Sequence, residues 1–387
     1  MTLPATVAVD VGGTKIRAGS VIDGELAHVR SVPTPATSGA QAVLDTIAEV
    51  TAAVVAEASG SHGATSGMGS DGTVEPISGG AGSGSVRTGS DAEFAWRIGV
   101  GAAGVIDPAT GTVVSATDSL PGWAGTDLVA ELTARTGLPI RVVNDVHAHA
   151  LGEAAAGASR STRSSLLVAA GTGIGGGFIT DGHLLTGRNS AAGHIGHVPS
   201  AAAAGLPCPC GGTGHVEAIA SGPAILNTYR RLVDASAEPG PSEPTSQGQS
   251  PESTTATPAD LPTSTPTSAP NSVAGHEMAA PAPGNTRELA AAASAGDELA
   301  LRAFDIGARA LGSALGGISN ILSPEVIVVG GGLAEMDETW WTPLREAFAA
   351  ELIPATSGTQ LVKAELGQDA ALVGAASLWN AEQRETR

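Results

Sequence analysis

Apolar and polar positions recur in a fixed order along the chain. Residues 6–10 read Thr-Val-Ala-Val-Asp, a β-branched run that predicts a core strand. It ends in a glycine-rich turn, Asp10-Val-Gly-Gly-Thr-Lys-Ile. Residues 16–27 predict further strand, folded back by an Asp-Gly turn. Val43, Ile47, Val50 and Val54 stand at helical spacing within 39–58. Residues 95–101 predict a strand, followed by Ala-Ala-Gly-Val-Ile-Asp-Pro. A helix over 126–136 is stopped by Gly137 and Pro139. A strand over 139–143 then runs into Asn144-Asp145, ahead of an alanine-rich helix over 146–157.

The order then restarts. Residues 165–170 predict a strand ending in a second glycine-rich turn, Gly171-Thr-Gly-Ile-Gly-Gly-Gly177, and strand resumes at Phe178. Helices are expected over 216–232, 286–293 and 297–322. A third strand–turn unit follows, Glu325-Val-Ile-Val-Val-Gly-Gly-Gly332, with helices near 340–352 and 370–383. Two halves that each open with strand, Gly-Thr turn and strand predict a duplicated α/β architecture. A nucleotide would sit in the cleft between an N-terminal domain, 1–143, and a C-terminal domain, 144–387.

Two stretches break this order. Residues 59–91 are mostly Gly, Ser, Ala and Thr with no period. Residues 234–284 hold ten of the 24 prolines and no Lys or Arg. Neither buries enough apolar surface to offset ordering entropy, so both are expected to be disordered surface insertions.

Composition narrows the function. Hydrophobic residues make up 42% of 387, enough for two cored domains. Acidic residues number 38 against 19 basic ones, a net charge of -19 that argues against a nucleic-acid or anionic-membrane surface. The only lysines are Lys15 and Lys363. Phosphate handling must then lean on backbone N–H groups, arginines and metal. Two cysteines exclude a disulfide framework. With no signal-like N-terminus and no long uncharged apolar run, a cytoplasmic protein is expected.

The glycine turns carry the first candidate chemistry. A turn without side chains lets backbone N–H groups approach a phosphate. Asp10, Gly12, Gly13, Thr14 and Lys15 form one such group, and Gly171, Thr172, Gly173 and Gly175 form another. Gly331 lies in the third turn. Asp10 is placed to hold Mg²⁺, directly or through water. Gly171, Gly173 and Gly176 match the spacing of a dinucleotide fingerprint, but strand follows instead of helix. No Gly-Lys pair exists, so there is no Walker A loop.

Asn144 suits a helix N-cap, and Asp145 in the first turn is favoured as a carboxylate. Such a group can take a proton from a substrate hydroxyl. Cys208, Cys210 and His215 lie within eight residues, with His197 upstream. Two thiolates and two imidazoles make a tetrahedral set for structural Zn²⁺. His194 and Glu217 remain as polar groups for a sugar.

With these residues assembled, the chain resembles the ROK family of sugar kinases and repressors. The resemblance spans nearly all of it outside the insertions. It rests on Asp10-Val-Gly-Gly-Thr-Lys, Asn144-Asp145, Gly171-Thr-Gly-Ile-Gly-Gly-Gly, Ala192-Gly-His-Ile-Gly-His197 and Cys208-x-Cys-Gly-x-x-Gly-His-x-Glu217. It implies an actin-like (ribonuclease H-like) two-domain fold and ATP-dependent phosphorylation of a hexose or N-acetylhexosamine. It also implies Asp145 as base, sugar contacts from Asn144, His197 and Glu217 with Gly104 beside them, His197 as a zinc ligand, and a homodimer. Most ROK glucokinases carry Glu where this chain has His194. The runs Gly193-His-Ile-Gly-His197 and Gly214-His-Val-Glu-Ala-Ile-Ala-Ser-Gly222 are similar to the N-acetylmannosamine kinase branch. That branch sets the expected activity, phosphorylation of N-acetylmannosamine at the 6-hydroxyl, with an ATP- or polyphosphate-dependent glucokinase as the alternative. Repressors of the family carry a helix-turn-helix ahead of the kinase-like region, for which Asp10 leaves no room. Two positions depart from the pattern: the last zinc cysteine is His215, and Thr117 or Asp118 would stand in for an asparagine contact.

Overall fold

The computed structural model describes residues 3–63, 85–86, 94–116, 120–237 and 282–380. Most of both expected insertions, and Thr117 and Asp118, lie outside the described residues.

β1 (Leu3–Val11) and β2 (Lys15–Ile22) form an antiparallel hairpin, continued by β3 (Glu25–Pro33). α1 (Ala40–Gly63) packs against this hairpin. β4 (Ser85–Val86) edges the start of β5 (Phe94–Ala102), which runs parallel to β1. β6 (Val105–Asp107) and β7 (Thr112–Ser115) make a small separate hairpin. α2 (Leu128–Thr136) starts where the Asp127 carboxylate accepts from Ala130 N–H, and it stops at Gly137, whose φ is +69°. β8 (Ile140–Asn144) lies parallel to β5, and α3 (Asp145–Ala156) leaves its end. The first sheet therefore reads β3-β2-β1-β5-β8.

The second half repeats this. β9 (Ser164–Ala170) and β10 (Ile174–Thr180) are antiparallel, with β11 (His183–Leu184) at the edge. The helices α4 (Glu217–Ala220), α5 (Gly222–Ala237), α6 (Thr286–Ser294) and α7 (Glu298–Leu322) follow. β12 (Val326–Gly330) runs parallel to β9. After α8 (Glu338–Glu351), β13 (Gln360–Lys363) runs parallel to β12, and α9 (Ala370–Ser377) closes the described chain. The order β11-β10-β9-β12-β13 matches the first sheet apart from the short β4, which has no counterpart among the described residues. This is the duplicated α/β architecture that the alternation predicted.

Alternate residues of β1 face opposite sides of the sheet. Ala5, Val7, Val9 and Val11 join Leu44, Ile47 and Val54 of α1 in one core, while Ala8 on the other face meets Leu372, Ala375 and Ala376 of α9. Both faces are thus covered, which accounts for the almost unbroken apolar run in β1.

Several boundaries move. α1 extends to Gly63, past the expected insertion edge at Ser59, because Ala58 and Ser59 are buried and packing there overrides the weak helix preference of Ser59 and Gly60. The helix expected over 216–232 is two helices broken at Ser221, and the second runs on to Ala237 inside the other expected insertion. Extending a formed helix costs little. α9 stops at Ser377 rather than 383. Trp379 turns back there, donating from Nε1 to Ile98 O at 3.0 Å beneath the guanidinium groups of Arg97 and Arg141.

The two sheets meet through α3. It lies against β5 and β8 of the first and against β9 and β10 of the second. α9 packs along α3 and onto β1 and β5. The α3–α9 approach depends on glycine: a Cβ at Gly152 would overlap the Ala370 carbonyl, and one at Gly374 would overlap that of Ala148. Gly374→Ala should therefore destabilise the fold by about 1–3 kcal/mol, read as a lowered urea midpoint. Gly60→Ala in α1, where a Cβ meets nothing within 4 Å, should be neutral or slightly stabilising.

Candidate active site

A cavity of about 760 Å³ opens between the facing ends of the two sheets. Gly104, Asn144, Asp145, His194, His197 and Glu217 all line it, so every expected sugar contact among the described residues reaches one cleft. Gly171, Thr172, Gly173, Gly175 and Gly331 line it too, as does Cys210. Asp10, Gly12, Gly13, Thr14 and Lys15 are not on its wall. A second cavity of about 310 Å³ adjoins it, walled by Gly331, Gly332, Glu335 and Gln368.

Asp145 stands at the start of α3, where the helix dipole favours negative charge. Its Oδ1 accepts from Asn144 Nδ2 at 2.8 Å and from Val146 N at 2.9 Å. Its Oδ2 has no donor among the described residues. The Asn144 amide is heavily committed. Its Oδ1 caps the helix at His147 N, and its Nδ2 also donates to Gly104 O at 2.8 Å. Both amide hydrogens are therefore used within the protein, leaving only acceptor capacity on Oδ1 for a ligand. Asn144 orients Asp145 and ties the Gly104 loop to it.

The glycine turns are pinned from outside. Thr34 Oγ1 donates to Gly12 O at 2.7 Å, and Lys15 Nζ donates to Gln368 Oε1 at 2.8 Å. Glu217 Oε2 accepts from Ile174 N at 2.7 Å, so this carboxylate braces the second turn while facing the cleft. Gly222 N donates to Gly171 O across the break between α4 and α5. Gly331 has φ +87°, and a Cβ there would overlap the Ala170 carbonyl, so this turn admits only glycine. Burial raises the Asp10 carboxyl above the usual carboxylate range. His149 opposes that shift and Asp145 reinforces it.

His197, Cys208, Cys210 and His215 bring one donor atom each within 4.8 Å of one another. Cys208 Sγ lies 3.7 Å from His197 Nδ1, and Cys210 Sγ lies 3.2 Å from His215 Nδ1. Tetrahedral Zn²⁺ with ordinary bond lengths gives S···N edges of about 3.6 Å, so this donor set fits the ion. Burial pushes the Cys208 thiol up to about 11, a burden that a cation among the four would relieve. The set reaches the cleft through His197 and Cys210.

Two histidines escaped the sequence reading. His147 is buried, and its Nε2 donates to Ala192 O at 2.8 Å, tethering the His194 loop to α3. His149 Nδ1 donates to Asp145 O at 2.9 Å, and its ring lines both cavities. The four-residue spacing from Asp145 was the available signal, since it places His149 on the same helix face. Glu153 was missed as well. It is fully buried and accepts from Ala158 N and Leu366 N at 2.7 and 2.8 Å, which holds the chain leading to Gln368. Burial lowers the His147 pKa below its ordinary value of 6.5. The unfolded chain then binds more protons below that value, so stability present at pH 7.5 is lost as pH falls. His147→Gln keeps a donor without titrating. Its urea-derived stability should fall less between pH 7.5 and 5.5 than that of the wild type.

The ROK family pattern matches residues 86–382. A glucokinase of Halalkalibacterium halodurans is 30% identical over 381 residues, covering 98% of this chain and 95% of the relative. An N-acetylmannosamine kinase of Citrobacter koseri is 28% identical over 375 residues, covering 97% and 98%. The crystal structure of a ROK family glucokinase from Streptomyces griseus, in complex with glucose and AMPPNP, is 29% identical with a TM-score of 0.65 over 97% and 98% of the two chains. A ROK hexokinase from Thermus thermophilus superimposes with a TM-score of 0.69 at 28% identity, over 98% and 99%. The paired sheets are therefore the actin-like two-domain fold of sugar kinases, and the chain belongs to the ROK family.

Proposed function

We propose that the protein transfers the γ-phosphoryl group of ATP to the 6-hydroxyl of N-acetylmannosamine. The unpartnered Oδ2 of Asp145 carries the kinase reading. Asn144 and Val146 hold Oδ1, so the other oxygen is left to accept the proton of a sugar hydroxyl. That hydroxyl oxygen attacks the γ-phosphorus in line, a new P–O bond forms, and the bond to the bridging oxygen of ADP breaks. The Gly171 and Gly331 turns offer backbone N–H groups to the phosphates. Mg²⁺ accompanies ATP and neutralises phosphate charge, with the Asp10 carboxylate as the group to meet it. Approach of the two sheets would exclude water and limit ATP hydrolysis.

His194 supports the choice of sugar. It lines the cleft, and its Nδ1 donates to Ala191 O at 2.9 Å, which leaves the Nε2 lone pair for a ligand donor. A 2-acetamido N–H is such a donor. Glucose is the second reading, favoured by the 30% identity to a glucokinase against 28% to an N-acetylmannosamine kinase. It would keep the same base.

His197, Cys208, Cys210 and His215 would hold a structural Zn²⁺, fixing the loop that carries His194 and His197. The catalytic step runs through Asp145, not through this ion.

ADP release with MgATP should favour N-acetylmannosamine over glucose, mannose and N-acetylglucosamine by tenfold or more in kcat/KM, about 1.4 kcal/mol. Preference for glucose would discard the substrate and keep the mechanism. Asp145→Asn should lose nearly all turnover while sugar still binds, and wild-type kcat in that variant would sink the base assignment. Elemental analysis should find one zinc per chain, with Tm falling after chelation. Substoichiometric zinc in a stably folded sample would refute the metal set.

A further inference from the structure

The two cavities share three wall residues, His149, Ala169 and Gly331. This inference rests on the nucleotide reading above. A nucleotide with its adenosine in the smaller cavity and its terminal phosphate at Asp145 threads its phosphate chain past those three residues. Ala169 and Gly331 have no polar side chain to offer, so His149 alone does. No lysine or arginine lines either cavity among the described residues. The two lysines stand behind the smaller cavity, each held at 2.8 Å by one of its wall residues, Lys15 by Gln368 and Lys363 by Glu335. A chain of net charge -19 thus meets a polyanion at a point where one side chain can carry positive charge.

The ring is already oriented for this. Its Nδ1 faces the Asp145 carbonyl, which can only accept, so Nδ1 carries a hydrogen. Its Nε2 has no partner among the described residues. A phosphate chain beside Nε2 would itself favour the doubly protonated ring. We propose that His149 is the phosphate-binding cation of this site, with Nε2–H donating to the β- and γ-phosphoryl oxygens while Nδ1–H stays on the catalytic helix. Phosphate recognition then comes from α3 itself, four residues after the base. Donor phosphate and acceptor hydroxyl are positioned by one rigid element.

The test is calorimetric titration of the full chain with MgAMPPNP and, separately, with adenosine. His149→Ala and His149→Asn should both weaken AMPPNP binding tenfold or more, about 1.4 kcal/mol. Adenosine should bind within twofold of wild type, with Tm unchanged. Asparagine can still donate to the Asp145 carbonyl but is too short to reach the phosphates. Wild-type AMPPNP affinity in His149→Asn would therefore mean that the ring serves only the helix, and the proposal fails. Equal loss for both ligands would make His149 a wall of the cavity and also overturn it. An unmodified protein that binds no AMPPNP would overturn the nucleotide reading along with this inference. A sugar preference other than N-acetylmannosamine would leave both standing.

Discussion

The closeness of α3 to α9 governs the rest of the molecule. Two glycines, Gly152 and Gly374, let the backbones touch where any side chain would hold them apart. α3 is thereby seated against both sheets at once, and its first residue is Asp145. The position of this carboxylate, the proposed base, is a consequence of helix packing and not of loop conformation. A wider spacing would move the carboxylate away from the facing turns, and an error near 1 Å is enough to impair transfer between oriented groups.

Around that helix, the polar groups of the cleft are restrained by partners within the protein. Thr34 holds the first glycine turn, Glu217 the second, and the Ala170 carbonyl shapes the third. Asn144 spends both amide hydrogens inside the protein to fix one oxygen of Asp145 and release the other. His147 draws the His194 loop to the same helix. Backbone N–H groups at fixed positions suit a protein with so little cationic side-chain chemistry, because their cost was met when the chain folded.

Much of this was legible in the residues. Strand, glycine turn and strand recurring in two halves announced the doubled sheets, because that signal is local. The cysteine and histidine spacing announced the cluster of four donor atoms for the same reason. Other features depended on distant contacts. Ser221 breaks a helical pattern because Gly222 must reach Gly171, which no local period reveals. α1 runs past its apolar period where Ala58 and Ser59 are buried. That Asn144 can meet a sugar only as an acceptor shows when both its amide hydrogens are seen to be committed, and His149 reads as one more helical residue until the two cavities are seen to meet at it.

The seating of α9 on β1 and β5 also bears on how the protein is made. The face of the first sheet that carries Ala8 has its apolar cover supplied by residues 372–376, which leave the ribosome after nearly everything else described. At about 5–20 residues per second, that face waits roughly tens of seconds for its cover. During that interval an exposed sheet face is a target for chaperones and for sticking to its neighbours, and α3 lacks one of the elements that set its place. Closure of the first sheet is thus a late event in synthesis, and the proposed base gains its last support only after α9 has emerged.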